Sequence, residues 1–195
     1  MTRWMVTTAF LLFVLFEGRA LAEDHVACAR IRSSAPELLD ALADGVRHSP
    51  TLRDLVERLN ASNVVVYLVF DRSMASPFAG HISLVSAAGG WRYLRLSVGA
   101  RYGGRLRIAI LGHEIQHAVE IAEAPSAVDQ ASVESLYRRI GFRTSEHRSF
   151  DSRAAIAAGH RVLRELSGVR REGSPAVSNM SPKRGRDPED CSVCW

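Results

Sequence analysis

One segment near the middle of the chain constrains the fold more than any other. From about Arg105 to Ala122, apolar residues recur at helical spacing almost all the way round, so this helix must be buried on most of its surface. The same segment contains His113, Glu114 and His117. Two imidazoles and a carboxylate are costly inside a protein unless other groups satisfy them. The sequence therefore predicts a central, buried helix that carries a polar site.

The three polar residues form the pattern H-E-x-x-H. Residues four apart lie on one helix face about one turn apart, so the imidazoles of His113 and His117 can converge on one zinc ion. Glu114 lies about 100° further round the helix, where it can reach a water on the metal rather than the metal itself. Zinc lowers the pKa of such a water toward about 7, so Glu114 could serve as its general base.

The motif and its flanks resemble the zincin metallopeptidases, in which a helix and a small sheet precede the H-E-x-x-H helix and charged residues are disfavoured inside the motif. Here Ile115 and Gln116 are uncharged, and the predicted order of elements is the same. The resemblance, which extends to secreted bacterial zincin-like proteins, implies a zinc-dependent endopeptidase. It also implies that a peptide or protein substrate binds in extended form along a sheet edge, for which the strand pair 81–86 and 91–98 is the candidate.

A third zinc ligand must come from outside the motif. The metzincin continuation needs a glycine and then a further ligand, but Glu120 and Glu123 occupy those positions, so a gluzincin-like site is favoured. In gluzincins the third ligand is a glutamate on a following helix. A helix that returns antiparallel from about Val128 regains the level of the zinc near Glu134. Glu134 is therefore the expected third ligand.

Glu120 and Asp129 are the alternatives to Glu134. Glu120 shares the face of the motif histidines, but its distance along the helix favours a role as the acceptor that orients His117. Asp129 stands near the start of the next helix, where capping is the stronger expectation. Tyr137 could donate to an oxyanion or belong to the core. Three further histidines have no second potential ligand at a metal-binding spacing in the sequence, and they are interpreted as surface or satisfied residues: His81, His147 and His160.

The remaining pattern predicts an α+β domain, with N-terminal helices, a small sheet with a hairpin, the buried motif helix and C-terminal helices. The resemblance implies that this domain is zincin-like. The hairpin turn is expected at 87–90. The expected helices cover 36–47, 49 or 51 to 59, 105–122, 128–140 and 151–167, and the expected strands cover 64–70, 81–86 and 91–98.

The two ends of the chain differ from this domain. Residues 1–22 have the features of a secretory signal peptide, with Arg3 before the apolar stretch 5–16 and an Ala-x-Ala cleavage site at its end; the alternative is an uncleaved anchor. Cleavage would leave a domain over 23–167 that is secreted or periplasmic and has no stable membrane anchor. Residues 168–195, rich in Gly, Ser, Pro and charge, predict a disordered tail.

Composition and charge exclude several classes of protein. With 195 residues, 47% hydrophobic and 24% charged, the chain has a globular composition, and three cysteines are too few for a disulfide-dense scaffold. Because the net charge is only +4 and no aromatic–basic motif stands out, no nucleic-acid partner is expected. In an oxidising compartment Cys191 and Cys194 could pair with each other, or one of them with Cys28.

Two other functions fit the same residues. A zincin-like scaffold without activity could act as a binding module, and a zinc amidase could act on cell-wall material. From Glu114 to Glu134 there are five acids and no Lys or Arg, which favours a cation site under each of the three interpretations. These patterns leave the choice among them, the substrate and the oligomeric state open.

Overall fold

The computed structural model describes residues 28–74, 79–144 and 150–172. Within these ranges the chain is an α+β structure of five helices, a four-stranded mixed sheet and a two-stranded sheet, so the predicted class is confirmed. The helices are α1 (Pro36–His48), α2 (Pro50–Asn60), α3 (Gly104–Ala122), α4 (Gln130–Ile140) and α5 (Arg153–Glu172). The strands are β1 (Ile31–Ser33), β2 (Val64–Asp71), β3 (Gly80–Ala88), β4 (Trp91–Gly99), β5 (Phe142–Arg143) and β6 (Phe150–Asp151).

The larger sheet has the order β1-β2-β4-β3. β3 and β4 form the predicted antiparallel hairpin, turning at Gly89 and Gly90, whose φ angles of 57° and 78° suit glycine. β2 runs parallel to both β1 and β4, an arrangement that the sequence did not indicate. As a result β3 is the outermost strand at one side of the sheet.

Helix α3 is central to the fold, as predicted. Every residue from Ile108 to Ile121 is buried, and the helix contacts α1, α2, α5 and strands β2 to β4. Gly112 allows close packing, because a Cβ built on it would lie 2.7 Å from Cγ2 of Val162 on α5. His113 therefore directly follows a point where α5 packs closely on α3.

The C-terminal end of α3 is held by a buried arginine from the sheet. The guanidinium of Arg92 on β4 donates to the carbonyl oxygens of Ile121 at 2.5 Å, Ala124 at 2.8 Å and Ala122 at 3.0 Å. A cation at this position binds carbonyl oxygens at the end of the helix and complements the helix dipole. The helix is thus fixed to the sheet beyond the motif.

The last helix is longer than expected. α5 begins two residues later than predicted and continues past the predicted domain boundary at 168 to Glu172.

No helix among the described residues is long and apolar enough to cross a membrane. The signal peptide at 1–22, the tail from 173 onward, Cys191 and Cys194 lie outside the described residues, so the expectations about them stay predictions.

Candidate metal centre

Helix α3 and strand β6 bring three potential ligands together. The Nε2 atoms of His113 and His117 lie 3.4 Å and 3.3 Å from the same oxygen, Oδ1 of Asp151. The three ligand atoms all lie within 4.8 Å of one another, and all three side chains are buried. Two imidazole nitrogens and a carboxylate oxygen that converge in this way could hold a metal ion.

Asp151 is positioned by the short sheet and by the start of α5. β6 pairs with β5, and a Cβ at Gly141 would come within 2.4 Å of the Asp151 carbonyl oxygen, so glycine permits this approach. The backbone N–H of Ser152 donates to Asp151 Oδ1 at 2.6 Å, and Ser152 Oγ accepts from the backbone N–H of Ala155 at 3.0 Å, as an N-cap does. The carboxylate therefore projects from the residue before the N-cap of α5.

The second ring nitrogen of His117 has its own partner. Its Nδ1 lies 2.8 Å from Oε2 of Glu120, and Ser152 Oγ donates to the other oxygen of that carboxylate at 2.5 Å. The hydroxyl of Tyr137 lies 3.1 Å from the same Nδ1 and donates to the His117 carbonyl at 3.3 Å. These contacts direct Nε2 of His117 toward Asp151, the orienting role expected of Glu120.

The two histidines differ in proton affinity in the metal-free chain. Burial and the neighbouring imidazole lower the pKa of His113 to about 4. Burial also disfavours the charged form of His117, but the carboxylates of Asp151 and Glu120 outweigh it and raise its pKa to about 10. Burial alone would raise the pKa of Asp151, and the two histidines together hold it below its usual range. At neutral pH, His117 is thus a cation beside an ionised Asp151.

Glu114 lies beside this group and faces the sheet. Its carboxylate is buried against Gly80 of β3, where a Cβ would fall 2.5 Å from Oε1. Burial raises the pKa of Glu114 to about 7, although the charge on His117 opposes this. A carboxyl group with a pKa near neutrality can both accept and return a proton.

These residues line a cleft of about 360 Å³ between β3 and α4. Its lining combines the ligand group and Glu114 with both apolar and polar side chains of β3, α4 and the β5–β6 region. The lining residues are Gly80, His81, Ile82, His113, Glu114, His117, Gln130, Val133, Glu134, Tyr137, Thr144, Phe150 and Asp151. The outermost strand of the sheet therefore forms one wall of the cleft.

The structure places Asp151, and neither Glu134 nor Asp129, with the two histidines. α4 packs mainly on β5 and β6 rather than along α3, and Tyr137 is the residue on it that reaches His117. Glu134 lies farther out on the cleft wall, half-buried, with Oε1 2.7 Å from a guanidinium nitrogen of Arg138. Asp129 is the exposed N-cap of α4 and accepts from the Ser132 backbone N–H at 2.7 Å, the capping role that was the stronger expectation.

The other residues singled out in the sequence are dispersed. Tyr137 is buried and its hydroxyl points to the His117 backbone, so it supports a ligand rather than facing an oxyanion. His81 is exposed on the cleft wall, His160 is exposed on α5, and His147 lies outside the described residues. Asp151 was not anticipated; its only local signal is a carboxylate directly before the N-cap serine of the last helix.

No protein-family model, curated protein or solved structure matches this chain. The chemistry of the site is therefore argued from its own geometry.

Proposed function

We propose that this chain is a zinc-dependent metallopeptidase of the zincin type, with His113, His117 and Asp151 as ligands and Glu114 as general base. The observation that carries the proposal is the convergence of both histidine Nε2 atoms on one oxygen of Asp151. Glu134, the ligand expected from the sequence, does not bind the metal in this version of the site.

The two nitrogen–oxygen separations fit zinc better than they fit hydrogen bonds. Tetrahedral zinc with bonds of about 2.0–2.1 Å keeps neighbouring ligand atoms about 3.3 Å apart. The observed 3.3 Å and 3.4 Å agree with that value. Charge-assisted N–H···O bonds are shorter, about 2.7–2.9 Å. Two histidines and one carboxylate are also a common ligand set of catalytic zinc, which keeps its fourth position open.

Zinc bound there would supply Lewis-acid activation of water and of a substrate carbonyl near neutral pH. Glu114 lines the same cleft, and with a pKa of about 7 it can accept the proton of the attacking water. The same carboxyl group then returns the proton to the leaving amine. Glu120 holds His117 in the tautomer whose Nε2 is available to the metal.

A peptide is the substrate class that the cleft favours. β3 is the outermost strand of its sheet and forms a wall of the cleft, so its outer edge can pair with an extended chain. Gly80 on this strand lies against Glu114, which would bring the backbone of a paired chain close to the base. The signal-peptide pattern of residues 1–22 supports a secreted or periplasmic location for this activity.

The proposal is tested by incubating the zinc-loaded full chain with a pool of unmodified peptides and detecting the products by mass spectrometry. Wild type should cleave, and Glu114→Gln should cleave at least about 100-fold more slowly with its zinc content unchanged. Glu123→Gln is the matched control, because Glu123 is an exposed glutamate at the end of the same helix. Equal cleavage by Glu114→Gln would contradict the proposal.

The same experiment separates the two other functions. Stoichiometric zinc without cleavage of any peptide or cell-wall fragment would favour the inactive binding module. Release of products from cell-wall amides alone, lost in Glu114→Gln, would favour the amidase.

A further inference from the structure

One face of α4 forms the cleft wall opposite β3. Gln130, Val133, Glu134 and Tyr137 all line the cleft, and their spacing of i, i+3, i+4 and i+7 defines a single helix face. Tyr137 is the innermost, since its hydroxyl contacts His117. Val133 is buried, whereas the side chain of Glu134 is 44% exposed. The α4 wall thus presents one carboxylate, that of Glu134, which lies outside the metal group. The side chains of a bound substrate can reach it.

The charge of Glu134 has no cationic counterpart inside the cleft. Among the described residues, no Lys or Arg lines this cavity. If zinc is bound as proposed above, Asp151 rather than Glu134 is the carboxylate that holds it, so the metal does not offset the charge of Glu134. Arg138 does pair with Glu134 at 2.7 Å, but its side chain is 67% exposed and lies outside the lining. An exposed pair of this kind is weak, so a substrate cation can replace Arg138.

The surroundings of Glu134 suit a long cationic side chain. Val133 and Phe150 line the same cleft and offer apolar surface beside the carboxylate. The methylene stems of Lys and Arg pack on apolar surface while their charged ends stay near water and a counter-ion. A short or acidic side chain would gain neither contact.

We propose that Glu134 is a specificity-determining residue that selects peptide substrates carrying Arg or Lys within a few residues of the scissile bond. This inference rests on the proposed peptidase function and adds the substrate class. It also gives Glu134 a role in the site that does not require metal ligation.

Two matched peptide pools test this inference, each peptide carrying either one Arg or one citrulline at the same place. Citrulline keeps the shape of Arg and removes its charge. For the zinc-loaded full-length wild type, kcat/KM should favour the Arg peptide by about two- to fivefold, mainly through KM. Glu134→Gln should bring the ratio close to one, and Arg138→Gln should raise it, because it removes the competing cation. Glu123→Gln, the exposed-glutamate control, should leave the ratio unchanged.

Binding provides a second readout that does not depend on turnover. Fluorescence anisotropy with the Glu114→Gln variant, loaded with zinc, should show the same preference for Arg, and adding Glu134→Gln should abolish it. Equal affinity for the two peptides, or equal kcat/KM in wild type, would overturn the inference. If wild type binds Arg peptides selectively but cleaves none, the peptidase proposal fails while the selectivity of Glu134 stands.

Discussion

Gly80 on the outermost strand lies directly against the carboxylate of Glu114 on the buried helix. A Cβ built on Gly80 would fall 2.5 Å from Oε1 and 2.8 Å from Cγ of Glu114. Atoms do not pack that closely, so any other residue at position 80 requires the Glu114 side chain or the strand to shift. The proposed base and the proposed substrate edge are therefore in contact, and each fixes the position of the other.

Gly80→Ala should displace the Glu114 carboxylate without removing any chemical group. A displacement of about 1 Å in a catalytic group can cost about 100-fold in rate, so kcat/KM for peptide cleavage should fall by about that factor while zinc content is kept. Gly168→Ala is the control, because a Cβ at that helical glycine meets no atom within 4 Å. Full activity in Gly80→Ala would show that the contact does not position Glu114.

Ser152→Ala should weaken zinc binding although Ser152 is not a ligand. It removes the donor to Glu120 and the N-cap of α5 directly after Asp151. Loss of such supporting contacts lowers metal affinity by about 10–100-fold, measurable by competition with a chelator. Asp129→Ala removes the N-cap of α4 and should cost a similar free energy of unfolding, about 1 kcal/mol, with zinc affinity unchanged. Equal zinc affinity in the two variants would count against the network.

Arg92→Ala should destabilise the fold through the end of α3. Three carbonyl oxygens at that end would lose a buried, charged donor, so urea denaturation should show a loss of about 2–3 kcal/mol in the free energy of unfolding. Arg95→Ala, on the exposed face of the same strand, should change it by less than about 0.5 kcal/mol. Similar losses in both variants would refute this role of Arg92.

Zinc binding should strengthen as the pH rises. In the metal-free chain the pKa of His117 is raised to about 10, so zinc must displace one proton from its Nε2. The apparent affinity should therefore increase about tenfold per pH unit from about pH 6.5 to about pH 8.5, with one proton released per zinc in calorimetry. A pH-independent affinity would mean that His117 binds no proton in this range.

The same shift predicts how the stability of the metal-free chain depends on pH. Because the folded chain holds the His117 proton more tightly than the unfolded chain, this contribution is fully present below about pH 6.5. It is lost as the pH rises toward about 10. Urea denaturation of the metal-free protein across this range measures the loss, and His117→Gln should remove this contribution.

The parts of the site that the sequence predicted are those held within one helix. The pairing of His113 with His117 and the place of Glu114 follow from helix periodicity, and the buried character of α3 follows from its apolar pattern. Glu120 could be assigned to His117 for the same reason, since the two residues are three apart on that helix.

Asp151 could not be predicted because tertiary structure alone brings it to the histidines. It ends a two-residue strand, too short to leave a periodic pattern, and it reaches the site through β5 and the start of α5. The reasoning for Glu134 assumed that α4 packs antiparallel along α3, whereas α4 packs mainly on β5 and β6. The rotation of α4 places Tyr137 against His117 and Glu134 on the outer wall. The parallel pairing of β2 with β4 also depends on tertiary structure, so the sequence did not predict it. β3 precedes β4 in the chain but lies on its far side, which leaves β4 next to β2.

The central claim is that Asp151 completes a zinc site with His113 and His117. Zinc per chain should be measured by mass spectrometry in dialysed full-length wild type, Asp151→Ala and Glu134→Ala, with circular dichroism to check folding. We expect about one zinc per chain in wild type and in Glu134→Ala, and loss of zinc in folded Asp151→Ala. Zinc retained in Asp151→Ala but lost in Glu134→Ala, or absent from folded wild type after zinc is added, would contradict the account.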